Sequence, residues 1–254
     1  MAGFLAGVIG VCIGSFLNVL IDRLPCGQSI MGRSRCDLCR KKLRWFELVP
    51  IFSFIIQRGR CRRCKKRLSW QYPFVEVVTG MLFCILSMAL PFPREAAVFP
   101  FIQYGAWFVA VSVLFAIIVA DFKYFIIPDS LLIVLFLAAG VSIVPIGLHE
   151  GLIRLFTGVV AGGVFFGLWG VTRGKGIGFG DVKLVSVMAI VLGFPAIIVA
   201  LYTAFLTGAL YGVILMITGR AGMKSRVAFG PFLLVGGFVA LLWSKQILLY
   251  WGYI

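Results

Sequence analysis

The chain has 254 residues, of which 61% are hydrophobic and 13% charged, and its mean hydropathy is +1.07. Soluble domains carry about 25% charged residues, so a water-soluble globule is excluded and lipid must serve as the solvent. The net charge of +15 is concentrated: residues 22–72 hold fourteen basic residues against Asp22, Asp37 and Glu47, a net +11 that leaves +4 for the rest. The pattern is a polytopic membrane chain carrying one basic polar insert.

A bilayer-crossing helix needs about 20 apolar residues. In chain order the first candidate is 3–21, then come the insert and further candidates at 74–90, 99–120, 128–147 and 151–172. The apolar stretch 182–217 is too long for one span, and Gly193-Phe194-Pro195 divides it into a short piece and a long one; 228–250 completes the set. The expected fold is an all-α polytopic membrane protein of about eight transmembrane helices, with a small insert between the first and second. Its divisions are a first helix at 1–21, a polar module at 22–72 and a membrane region at 73–254.

The positive-inside rule puts the insert in the cytoplasm, together with Lys123, the 173–183 link, Arg220, Lys224 and Arg226. Opposite fall Arg94 with Glu95, His149 with Glu150, and the 193–195 turn. The first span lacks a basic leading segment and is followed by Arg23, so it reads as a retained anchor with its N-terminus outside.

Cys36, Cys39, Cys61 and Cys64 form two C-x-x-C pairs separated by 21 residues, close to the spacing of structural zinc sites. Two thiolates from each pair close a tetrahedral shell and leave no open position for catalysis. Two disulfides are the alternative, one that a reducing cytoplasm disfavours. Cys12, Cys26 and Cys84 read as small buried filler. The arginines and lysines around the pairs offset thiolate charge and suit an anionic leaflet or a substrate.

Four acids, Glu76, Asp121, Asp129 and Asp181, fall at the cytoplasmic ends of spans, where ionisable groups are expensive and functional by default. Asp129 follows Pro128 and reads as a helix-opening acid. Asp121 closes a helix, where the dipole disfavours a carboxylate, so no capping role explains it. Asp181 ends Gly176-Ile177-Gly178-Phe179-Gly180-Asp181; alone it could be a cap, but alternating glycines at membrane depth imply a buried or wet cavity. Two carboxylates brought together share a proton, and the pair can activate water against a peptide carbonyl. The glycine run is free to pair with an extended substrate as an added strand. Ser15 and Asn18 share a helix face and suit interhelical hydrogen bonding.

These residues together resemble the type IV prepilin peptidases over nearly the whole chain. The first span and its exit carry Gly14-Ser15-Phe16-Leu17-Asn18-Val19 and Arg23-Leu24-Pro25. The paired cysteines follow, then Tyr72-Pro73 with Val75-Glu76 and Thr79-Gly80, Asp121 with Ile127-Pro128-Asp129, Gly178-Phe179-Gly180-Asp181 with Lys183, and Phe229-Gly230-Pro231. Gln71 stands where an arginine is common, and Ala228 where a proline often precedes the last motif.

The resemblance implies a bifunctional enzyme of the bacterial inner membrane. It removes the leader from type IV prepilins or pilin-like secretion proteins and then methylates the new N-terminus with S-adenosylmethionine. Carried over, Asp121 and Asp181 are catalytic, and Gly178, Gly180 and Lys183 form the supporting loop. Cys36, Cys39, Cys61 and Cys64 hold zinc, and 22–72 is the module associated with methyl transfer. Glu76 is a candidate for methyl transfer because it sits where the module meets lipid; the insert has no G-x-G-x-x-G fingerprint to locate the methyl donor.

The partners expected are prepilins and anionic lipids, with no nucleic acid. A proton-coupled transporter with a zinc-binding cytoplasmic module is the main rival, but it predicts acids near span centres. A basic membrane tether is a third reading; it gives Asp121 and the glycine run no job.

Overall fold

The structure is a computed structural model that describes residues 2–36, 38–90, 98–143, 147–174, 176–219 and 228–253. Asp37, Arg94, Glu95, Arg220, Lys224 and Arg226, all used in the charge reading, lie outside the described residues. Nine α-helices are described: α1 (Ala2–Arg23), α2 (Phe52–Ile56), α3 (Gln71–Ala89), α4 (Val98–Tyr124), α5 (Asp129–Ile143), α6 (Leu148–Val171), α7 (Phe179–Leu192), α8 (Ala196–Ile217) and α9 (Gly230–Tyr250). Among the described residues there is no strand, only isolated antiparallel bridges at Arg35–Lys42 and Arg60–Arg67.

Eight apolar helices fall where spans were expected, and six of them, α1, α3, α4, α6, α8 and α9, are long and apolar enough to cross a membrane. The expectation of about eight spans narrows at α5 and α7, which have 15 and 14 residues. At 1.5 Å per residue they measure about 22 Å, short of a hydrocarbon core of about 30 Å.

The chain divides into two compact units, residues 1–116 and 117–254, with the boundary inside α4. In the first, α1 and α3 pack antiparallel along a face of small residues. A Cβ on Gly10 would meet Phe83 at 2.8 Å, and one on Gly14 would meet the Glu76 backbone at 2.7 Å, so the two backbones approach as only glycine permits. Asn18 Nδ2 on α1 donates to the Tyr72 carbonyl at 3.1 Å, and Ser15 hydrogen-bonds Glu76, the interhelical role expected of both. Cys12 and Cys26 are exposed and Cys84 half-buried, which corrects their reading as buried filler.

In the second unit α7 is the buried element: Val182, Leu184, Val185, Val187, Met188, Ala189 and Ile190 are all buried. Gly158 and Gly162 of α6 leave room for Ile190 and Ser186, and Gly236 of α9 packs on the Ala200 carbonyl of α8. A helix that stops short in an apolar setting needs its last carbonyls satisfied. The Gly193 N–H serves the Ala189 carbonyl, and Arg154 of α6 serves another, donating Nη1–H to the Val191 carbonyl at 2.8 Å, favourably placed for a cation at a helix C-terminus.

Candidate active site and metal centre

The two cysteine pairs are built alike. Cys36 N–H donates to the Lys41 carbonyl and Arg40 N–H to the Cys36 carbonyl; Cys61 N–H likewise donates to Lys66, and Lys65 N–H to Cys61. Arg40 and Lys65, the residues after the second cysteine of each pair, both adopt positive φ, at 53° and 58°. The turn is thus a short internal repeat, Arg-Cys-x-x-Cys with three basic residues after it, legible in the sequence once the two segments are aligned on their cysteines.

The repeat brings the four Sγ atoms within 4.8 Å of one another, with Cys36 and Cys64 Sγ 4.0 Å apart. Tetrahedral zinc with bonds near 2.3 Å requires sulfurs about 3.8 Å apart, so the donor set fits the metal. All four cysteines are free, with no disulfide between them. Burial pushes the Cys36 thiol up to about 11, whereas the backbone N–H of Cys64 draws Cys61 down to about 7.

The aspartates come from two helix ends. Asp121 lies in the last turn of α4, which stops when Phe125, at φ 55°, donates its N–H back to the Asp121 carbonyl. Asp181 lies in the first turn of α7; its Oδ2 accepts the Gly178 N–H at 3.1 Å. It therefore does the capping work the sequence allowed. Both carboxylates are buried, at 6% and 8% exposure, and Asp181 lies close enough to feel the charge of Asp121. A third segment supports them: Gly230, which opens α9, donates its N–H to Asp121 Oδ2 at 3.0 Å.

Around this pair the other motif residues interlock. Lys183 Nζ lies 2.7 Å from Asp129 Oδ1, so Asp129 is an ion-pair partner as well as the first residue of α5. A Cβ on Gly180 would meet Ile127 at 3.1 Å, placing the segment before α5 directly against the start of α7. Gly180 is inside the helix, so the expected added-strand pairing narrows to residues before Phe179, where Gly178 is extended. Phe166 and Trp169 of α6 contact the Phe179 ring at the start of α7.

Glu76 is elsewhere, in α3. Its Oε2 accepts the backbone N–H of Ile51 at 2.7 Å and it also hydrogen-bonds Ser15, so its carboxylate joins the insert to α1 and α3. Gln71 donates Nε2–H to Asp22 at 3.2 Å, and Tyr72 OH donates to the same carboxylate at 3.4 Å. Composition and motif spacing did not single out Arg154, whose role depends on where α7 stops.

A cavity of about 450 Å³ between α8 and α9 is lined by Val199, Tyr202, Thr203, Trp243 and Gln246 among others, with no charged residue. Its lining residues lie outside the insert and belong to none of the motifs above, so no donor site is assigned to it.

Residues 8–90 match the family model described as Bacterial Peptidase A24 N-terminal domain, and residues 108–213 match that of the Type IV leader peptidase family. A protein of Bacillus subtilis (strain 168) named prepilin leader peptidase/N-methyltransferase is 34% identical over 245 residues, covering 95% of this chain and 94% of its own length. Proteins of the same name from Stutzerimonas stutzeri and Burkholderia pseudomallei (strain 1026b) are 29% and 32% identical, covering 94% and 96% of this chain and 90% and 86% of theirs. No solved structure matches the chain significantly. With both the insert-bearing first part and the aspartate-bearing remainder matched, this multi-pass membrane chain belongs to the type IV leader peptidase family.

Proposed function

We propose that the protein removes the leader peptide from type IV prepilins at the cytoplasmic membrane face and then methylates the exposed N-terminal amine. The observation that carries the cleavage step is a pair of buried carboxylates from the ends of α4 and α7, each accepting a glycine N–H, with Asp181 within range of the Asp121 charge. One aspartate, ionised, takes a proton from water as the water oxygen bonds to the scissile carbonyl carbon; the other, protonated, donates to the carbonyl oxygen. Collapse of the resulting diol breaks the C–N bond: the leaving nitrogen takes its proton from the first aspartate, and the second aspartate takes back a proton from a diol hydroxyl as the carboxyl product forms. No covalent enzyme intermediate forms.

Gly178, Gly180 and Lys183 act through position. Gly178 holds the Asp181 carboxylate, Gly180 lets the Ile127 segment close on α7, and Lys183 ties α7 to α5. Cys36, Cys39, Cys61 and Cys64 hold a structural zinc, which cross-links the 22–72 module without exposing a coordination site. The 73–254 region carries the peptidase, following the first helix at 1–21. S-adenosylmethionine, when bound, supplies the methyl group. Glu76 enters this second reaction through the seating of the module, since its carboxylate is already engaged by Ile51 and Ser15. Basic residues of the module bind anionic headgroups.

The test is intact mass spectrometry of a co-expressed prepilin with wild type, Asp121→Asn and Asp181→Asn, each checked for membrane insertion. Wild type should remove the leader and add one methyl group, and each variant should leave the substrate uncut. Persistent cleavage in both variants would discard the aspartyl pair; cleavage without methylation would discard the transferase.

A further inference from the structure

Among its described residues the insert contains a 3-10 turn at Trp45–Glu47 and one short α-helix, α2, none of whose residues is buried. Phe52, Ile55 and Ile56 are 66%, 65% and 79% exposed, a contiguous apolar face of the kind that marks an interaction site. Two contacts fix its depth. The N–H of Ile51, immediately before α2, is held by Glu76 at 2.7 Å, and the Phe54 ring lies 5.1 Å from that of Trp70.

Trp70 is the N-cap of α3, and Glu76 lies in its second turn. Because α3 is a membrane span, both latches hold α2 at the level where that span leaves the hydrocarbon. Trp70, itself largely exposed, sits where indoles favour the membrane–water interface. Phe74, one turn further along α3, is also 59% exposed and adds apolar surface at the same end of the span.

Ile51 adopts φ 61°, a costly conformation for a β-branched residue. Its N–H is the one accepted by Glu76, so the start of α2 is tied to α3. After α2 come Arg58, Arg60, Arg62 and Arg63. An apolar face beside a dense positive charge is the composition of a helix that lies in the interface plane of an anionic membrane.

We infer that α2 is an interfacial anchor: its Phe52, Ile55 and Ile56 face enters the boundary between acyl chains and headgroups, the arginines that follow bind anionic phosphates, and Glu76 is the latch that holds it there. The inference rests on α3 spanning the membrane and is independent of the peptidase assignment. It gives the module a fixed height above the bilayer, which a flexible tether between α1 and α3 would not.

The test uses the full chain in nanodiscs of phosphatidylcholine and phosphatidylglycerol, with benzoylphenylalanine placed in turn at Phe52, Ile55 and Ile56, and at lipid-facing Met81 of α3 for reference. After irradiation, the mass of a phospholipid should be added at all three sites, in yields within about twofold of Met81. Glu76→Ala should lower the yield at Ile55 about tenfold with zinc content retained, because the latch is gone. Absence of lipid adducts at the three sites while Met81 reacts would overturn the anchor, as would cross-links to another protein chain. Equal yields without phosphatidylglycerol would remove the arginines from it, and an unaffected yield in Glu76→Ala would remove the latch.

Discussion

Gly230 donates its backbone N–H to Asp121 Oδ2 at 3.0 Å across 109 residues of sequence, so the start of α9 orients a carboxylate that belongs to α4. The fit leaves no room for a side chain: a Cβ on Gly230 would lie 2.6 Å from the same oxygen. Gly230→Ala should therefore push the Asp121 carboxylate aside while leaving α9 helical. Misplacement by about 1 Å costs roughly a hundredfold in rate, so cleavage should fall by that order with substrate affinity unchanged. Steady-state cleavage of a detergent-solubilised prepilin, read as kcat and KM separately, checks this; a variant with wild-type kcat would remove Gly230 from the site.

The Lys183–Asp129 pair is partly exposed, at 38% and 70%, so its contribution to stability is small, about 0.2–1 kcal/mol. Its value is geometric, because it fixes α5 against the first turn of α7. Lys183→Met and Asp129→Asn should each reduce cleavage several-fold with little change in thermal stability, and the double variant should cost no more than the worse single one. Additive losses would mean that the two residues act separately.

Removal of zinc should unfold the 22–72 module and leave the helical membrane region intact. The cysteines bind metal as thiolates, so protons compete with zinc and retention must weaken as pH falls. Cys61, drawn down to about 7, gives up its proton near neutrality, whereas buried Cys36, at about 11, ionises chiefly because the metal arrives. Competition against a chromophoric chelator between pH 6 and 8 should show affinity rising with pH. A flat profile, or full retention in Cys61→Ser, would argue against a four-thiolate site.

Gly14→Leu in α1 should be among the most damaging changes outside the aspartate site. Its Cβ would meet the backbone of Glu76 at 2.7 Å, and backbone cannot rotate away as a side chain can. Overpacking of this kind costs about 1–3 kcal/mol, and it would separate Asn18 from Tyr72 and Ser15 from Glu76 as well. Proteolysis of membrane-inserted protein should reveal a loosened 22–72 module; a protease-resistant variant would show that α1 and α3 tolerate separation.

Much of this protein was determined locally along its chain. Composition dictated lipid as the solvent, and apolar runs placed all eight apolar helices, though bilayer thickness accounts for the length of only six of them. The two C-x-x-C pairs announced the metal centre since both sulfurs of each pair lie within one turn. Asp121 stood out because a helix C-terminus disfavours a carboxylate. The tertiary structure decided what depends on residues far apart meeting. The turn at Gly193-Phe194-Pro195 already marked the end of a short α7, but only packing shows that Arg154 reaches its Val191 carbonyl, that Lys183 answers Asp129, and that Gly230 holds Asp121. Glu76, singled out for its position at the edge of lipid, acquires Ser15 as a partner only when α1 packs on α3, and Ile51 only when the insert folds back onto α3. In each case the deciding contact is a hydrogen bond or close approach between separate helices, which periodicity within one helix cannot encode.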